Sequence, residues 1–203
     1  VANLGVEVGT PVTIDREFRE LANSKVTGKA FDNRAGVAML IRTLQTVKSP
    51  HTIYGVFTVQ EEVGLKGART SAYTIEPDVA IATDVTIPGD HPGIDMKDAS
   101  IEMGKGPVIT IADASGRGLI ADRRVVKWLR ETAESHGITV QVEVGTGGTT
   151  DASSIQLTRG GIPSTVLSPP TRYIHSPVEV LDINDIECGV KLLVAALKKK
   201  PEL

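Results

Sequence analysis

From Val26 onward, short runs rich in β-branched and aromatic residues alternate with longer stretches of helical periodicity. Residues 52–59, 79–84, 107–112, 138–144 and 162–167 read as strands, four of them near-continuously apolar. Between them, residues 34–47 place Val37, Leu40, Ile41, Leu44 and Val47 on one apolar helical face. Residues 119–136 do the same with Val125, Val126, Leu129 and Ala133, and Gly137 stops that helix. A last helix starts at Asp182, with Asp185 three residues on in the manner of a capping box, and runs into Lys198, Lys199 and Lys200 at its negative end. This order predicts an α/β fold: a mixed, mostly parallel sheet flanked by helices on both faces. Ahead of it, residues 6–14 read as a β-segment broken by a Gly-Thr-Pro turn.

A length of 203 residues suits one large domain, or one domain with a small piece of another. With 22 Lys+Arg against 25 Asp+Glu the chain is mildly acidic and lacks the basic footprint of a nucleic-acid binder. No apolar run reaches the roughly 18 residues of a membrane helix. Cys188 is the single cysteine, so an internal disulfide framework is excluded and a reducing cytoplasm is the expected location. The chain begins Val1-Ala2-Asn3, without an initiator Met or a signal-peptide core, and is therefore expected not to be the whole gene product.

In sheets of this class ligands bind at the carboxyl ends of strands, so the residues that follow each strand are the ones to read for chemistry. The 52–59 run ends in Gln60-Glu61-Glu62, the 79–84 run ends in Asp84, Asp32 precedes the first long helix, and the last strand leads to Arg172-Tyr173-Ile174-His175. Singly, these residues have ordinary uses: a solvated turn, an N-cap for Asp32, a surface histidine beside prolines. Together, four carboxylates and an imidazole on one rim are what a pair of divalent metals needs, and a carboxylate not consumed as a ligand is what a general base needs.

The segments Phe31-Asp32-Asn33-Arg34-Ala35-Gly36, Gln60-Glu61-Glu62-Val63-Gly64-Leu65-Lys66-Gly67-Ala68, Ala82-Thr83-Asp84-Val85 and Arg172-Tyr173-Ile174-His175-Ser176-Pro177, in this order, closely resemble the dinuclear metallo-aminopeptidases of the glutamyl/deblocking type, which build tetrahedral (TET) dodecamers. Gly104-Lys105-Gly106-Pro107 and the stretch from Gly147 to Ala152 resemble that family too, and the likeness covers essentially the entire chain. The resemblance implies a metallopeptidase-type catalytic domain over residues 24–203, with residues 1–23 as the tail of an inserted β (dimerisation) domain. It implies Asp32 as the carboxylate bridging two zinc or cobalt ions, Glu62 and His175 completing one ion, Asp84 binding the other, and Glu61 as the general base acting on the attacking water. Peptides would be the substrates and a homo-oligomer the working form.

The family's H-x-D histidine has no counterpart among His51, His91, His136 and His175. The chain is therefore expected to lack the N-terminal strands and one ligand of the second metal, and a catalytically weak fragment that keeps the fold and oligomer contacts is the alternative function. A glycoside hydrolase is a further alternative, but its two carboxylates must face each other roughly 5–10 Å apart, whereas Glu61 and Glu62 are sequence neighbours.

Other residues divide between site and scaffold. The 145–150 loop resembles an anion cradle without the ending of a P-loop, so nucleotide binding is not expected, while Gly148 and Asp151 are candidates to contact the peptide; Asp151 is equally a helix cap. Arg172 either binds substrate, orients the site or makes an inter-subunit contact. His91 and Lys105 read as turn residues, Trp128 as helix packing and Cys188 as a buried small hydrophobe.

Overall fold

The computed structural model describes residues 2–97 and 100–202. Its larger sheet runs in the order β3 (Ala80–Thr83), β6 (Ser164–Ser168), β4 (Val108–Ala112), β5 (Gln141–Val144). The β3/β6 and β4/β5 pairs are parallel, and β4 runs antiparallel to β6. A second, wholly antiparallel sheet joins β1 (Arg19–Glu20), β2 (Lys25–Gly28), β8 (Glu179–Asp182) and β7 (Thr171–Arg172). The helices are α1 (Phe31–Thr46), α2 (Lys66–Ile75), α3 (Arg123–Ser135), α4 (Asp151–Ile155) and α5 (Ile183–Ala196). α1 and α3 pack on α5, and α4 packs on α2 and the β3 edge. The expected mixed α/β architecture is present.

The main core joins Ile109, Val166 and Leu167 of the sheet to Met39, Leu129 and Leu192 of the helices. Burying one such side chain contributes about 1.5–3 kcal/mol. A smaller cluster of Val26, Ala35, Val85 and Leu181 sits beneath the second sheet. The inward face of α3 is the one its periodicity predicts, and Asp122 caps it by accepting from the Arg124 N–H. Asp182 caps α5 through the Asn184 N–H, but Asp185 makes no capping box. Instead its buried carboxylate accepts from the N–H groups of Gly104 and Gly106, each at 2.7 Å, and so fixes the Gly-Lys-Gly turn.

Three expectations are corrected. The buried side of α1 carries Ala35, Gly36, Met39 and Thr43, while Val37, Ile41 and Leu44 are exposed. Close approach decides this: a Cβ on Gly36 would lie 2.5 Å from the Thr83 carbonyl oxygen, so only small residues fit against the end of β3. Residues 52–59 form no strand. Among the described residues, the backbone of 52–58 makes no backbone hydrogen bond, and Tyr54, Phe57 and Val59 are exposed, because strand propensity needs a paired neighbour to become a ladder. Residues 6–14 likewise form no strand; their order comes from a turn closed by the Thr10 N–H on the Glu7 carbonyl.

Candidate metal centre

β3 and β6 run parallel, so Asp84 and the chain leading to His175 leave the sheet at the same rim, as the strand-end rule requires. Asp32 reaches that rim from the start of α1. There the backbone departs from helical geometry at Asp32 and Asn33, and the peptide between them is cis. Asn33 takes the capping role that is the ordinary use of an acid at the Asp32 position: its Oδ1 accepts from the Gly36 N–H at 3.0 Å, and its Nδ2 donates to the Thr83 carbonyl at 2.7 Å. Asp32 is thereby left free to face the site.

Glu61 and Glu62 lie in the turn that ends the extended 52–59 run. The Glu61 carbonyl accepts from Gly64 and Leu65, and the Gly67 N–H donates to the Val59 carbonyl at 3.0 Å, which clamps the turn to the first residues of α2. His175 follows β7 in a loop where both Tyr173 and His175 take left-handed backbone angles. That loop is held from the side: an Arg172 guanidinium N–H donates to Asp90 Oδ2 at 2.6 Å, and the His91 and Tyr173 rings lie 4.7 Å apart. Arg172 is thus engaged with an acid beside the site.

The result is a convergence of Asp32, Glu62 and His175. His175 Nε2 stands 3.0 Å from Asp32 Oδ2 and 3.2 Å from Glu62 Oε2, and one donor atom from each residue lies within 4.8 Å of the others. Glu62 and His175 are exposed and Asp32 is mostly covered. Burial, then the nearby Glu62 charge, push the Asp32 carboxyl up to about 6, with His175 opposing. Glu61 is pushed up to about 7 by burial and by the charges of Asp151, Glu62 and Asp32. Asp84 is buried and raised well above the ordinary carboxylate range; its Oδ1 accepts from the Val85 N–H, and it stands outside the three-residue group. An acidic site so raised is one that a cation would relieve. One imidazole nitrogen and two carboxylate oxygens form a donor set of the kind that holds a divalent ion, so the residues present fit one.

Asp151 belongs to the same acidic surroundings. Thr150, not Asp151, is the N-cap residue of α4, and Asp151 Oδ2 accepts from Thr58 Oγ1 at 2.6 Å. Its Oδ1 is buried and, among the described residues, has no hydrogen-bond partner. The 145–150 loop is pinned from behind by Asp113, which accepts from Thr149 Oγ1 and from the Leu119 N–H; Gly148 sits in that loop with a positive φ.

Sequence reading missed Glu179. It is 1% exposed, and its carboxylate accepts from the N–H groups of Phe31, of Asp32 at 3.1 Å and of His175 at 3.1 Å. An acid opening the Glu179-Val180-Leu181-Asp182 strand was the available signal.

With this geometry in view, likeness to known proteins becomes informative. Residues 1–192 match the family described as M42 glutamyl aminopeptidase. A relative named putative aminopeptidase, from Acetivibrio thermocellus, is 46% identical over 178 residues, which is 87% of this chain and 52% of the relative. The solved aminopeptidase APDkam598 from the archaeon Desulfurococcus kamchatkensis superposes with a TM-score of 0.88 at 46% identity, over 92% of this chain and 52% of that one. The TET1 peptidase of Pyrococcus horikoshii, which can assemble into a tetrahedron or a large octahedral shell, gives a TM-score of 0.74 at 36% identity, over 91% of this chain and 53% of its own. The chain therefore spans about half the length of these relatives. Two acids and a histidine brought together from separate parts of the chain and the match along nearly the whole chain point one way: this chain belongs to the M42 glutamyl aminopeptidase family.

Proposed function

We propose that this chain carries the catalytic centre of a metal-dependent aminopeptidase that removes N-terminal residues from peptides in the cytoplasm. The observation that carries this reading is the convergence of Asp32, Glu62 and His175 beside a half-buried Glu61. Asp32, Glu62 and His175 would hold one divalent ion, zinc or cobalt, and Asp84 with a bridging Asp32 would hold a second. Lewis acidity at the scissile carbonyl and an acidified water are what such an ion supplies when bound. Glu61, left outside the three-residue group, takes the proton of the attacking water and passes it to the leaving amine. Its burial favours this, because a base raised toward neutral both accepts and releases a proton readily. Gly148 and Asp151 border the peptide-binding side, and Arg172 keeps the His175 loop in place. A homo-oligomer is the proposed working form; the exposed apolar residues Val37, Ile41, Tyr54 and Phe57 offer surface for contacts.

A weak catalyst that retains fold and contacts is the second reading, favoured by the separation of Asp84 from the three grouped residues. A glycosidase is disfavoured, since Asp32 and Glu62 converge on one imidazole instead of facing each other across a cleft.

The test is hydrolysis of leucyl- and glutamyl-p-nitroanilide by wild type and Glu61→Gln, with metal content measured in both. The substitution keeps shape and removes the base, so kcat should fall by about 10²–10⁴-fold at unchanged metal content. Equal rates would remove Glu61 from the mechanism.

A further inference from the structure

Asp32 and His175 lie far apart in the chain and on different elements, yet their side chains meet within 3.0 Å. Resting on the metal-centre reading above, we propose that Glu179 is a positioning residue for that centre: its buried carboxylate sets the separation of the two ligand loops by accepting hydrogen bonds from the backbones of both. Oε2 accepts from Phe31 and Asp32, and Oε1 accepts from His175. Glu179 is itself placed by the β2/β8 ladder, where it stands opposite Gly28, so the second sheet acts as the anchor.

The strain on either side shows what is being held. Ala30 and His175 both have left-handed backbone angles without being glycine, a conformation that persists only where surrounding contacts enforce it. Glu179 supplies contacts of that kind next to each. An ionised carboxylate is an acceptor at both oxygens. A glutamine of the same size has one acceptor and one NH₂ group, so it can satisfy one loop while presenting a donor to the N–H of the other. A buried acid that merely filled a space would be indifferent to this exchange.

The experiment titrates Co²⁺ into the full chain, followed by calorimetry and visible absorption, for wild type, Glu179→Gln and Asp185→Asn. Asp185 is the control for a purely structural loss. It is equally buried and accepts from two backbone N–H groups where Glu179 accepts from three, but its two belong to the 104–106 turn and not to a ligand loop. Glu179→Gln should raise the cobalt Kd about 10–100-fold, the usual cost of losing an outer partner of a metal ligand, and should alter the visible band. Asp185→Asn should leave both unchanged. In the metal-free chain, amide exchange at Asp32 and His175 should accelerate in Glu179→Gln and not in Asp185→Asn. Cobalt binding by Glu179→Gln at wild-type affinity and spectrum, or equal weakening in Asp185→Asn, overturns the proposal while leaving the metal centre standing. Failure of the wild type to bind cobalt overturns both.

Discussion

Glu61 and Glu62 adjoin in sequence but meet different surroundings, which is the ground for proposing different work for each. Glu62 extends to His175 Nε2, whereas Glu61 sits among the charges of Asp151, Glu62 and Asp32, with His175 opposing them least. The resemblance implied different roles for the two, and these different surroundings support the roles proposed for them. If Asp32 is a ligand as proposed, Asp32→Asn removes one anionic donor at nearly unchanged shape; metal affinity should fall by more than the roughly 10–100-fold that losing an outer partner costs, measured by competition with a chromophoric chelator. Unchanged affinity would place the metal elsewhere. The candidate ligands Asp32, Glu62, Asp84 and His175 each have ordinary uses when taken singly, and only their number on one expected rim, together with the resemblance, singled them out in the sequence. Asn33 and Asp90 were not legible, because what they do is hold backbone or a distant side chain and nothing local marks such a contact; for Glu179 an acid opening a strand was the one local sign, and it does not say what the acid holds.

At the scale of elements, periodicity was a sound guide where a helix packs large residues inward, as α3 does with Val125, Val126 and Leu129. It misled for α1, where the neighbouring backbone comes so close that Ala35 and Gly36 face in and the large residues face out. Hydrophobic pattern records the size of a side chain, not the room its partner leaves. Residues 52–59 show the same limit for strands: composition signals β, but pairing is a property of two segments. What fixes the Glu61–Glu62 turn is instead Gly67, where an added Cβ would stand 2.5 Å from both the N and O of Val59. Gly67→Ala should therefore destabilise the chain by about 1–3 kcal/mol, read as a shift in the urea midpoint, and should weaken metal binding with it. A neutral effect on both would show that the turn is not clamped there.

For the whole molecule, the alternation of strands and helices was enough to give a mixed sheet with packed helices, while the division into two sheets was not foreseeable, since β2 and β8 lie at opposite ends of the chain. Buried acids make stability depend on pH in a definite direction. Burial pushes Asp185 from an ordinary 3.8 up to about 6 against the opposing pull of two backbone N–H groups. As pH rises through 4 the unfolded chain releases this proton first, while the folded chain retains it until about 6. The protonated acid thus contributes stability below about pH 4, and that contribution is lost by the time pH passes 6. Melting temperature should fall across this window in wild type, and less steeply in Asp185→Asn; parallel curves would assign the slope to other acids.

Most directly decisive is the metal content of the purified chain after dialysis with zinc or cobalt and removal of the excess, compared between wild type and His175→Ala. If Asp32, Glu62 and His175 form the centre, the wild type retains at least one divalent ion per chain, its melting temperature rises with added metal, and His175→Ala loses both properties. A wild type that retains no ion, or a His175→Ala variant that retains as much, would contradict the assignment of this site.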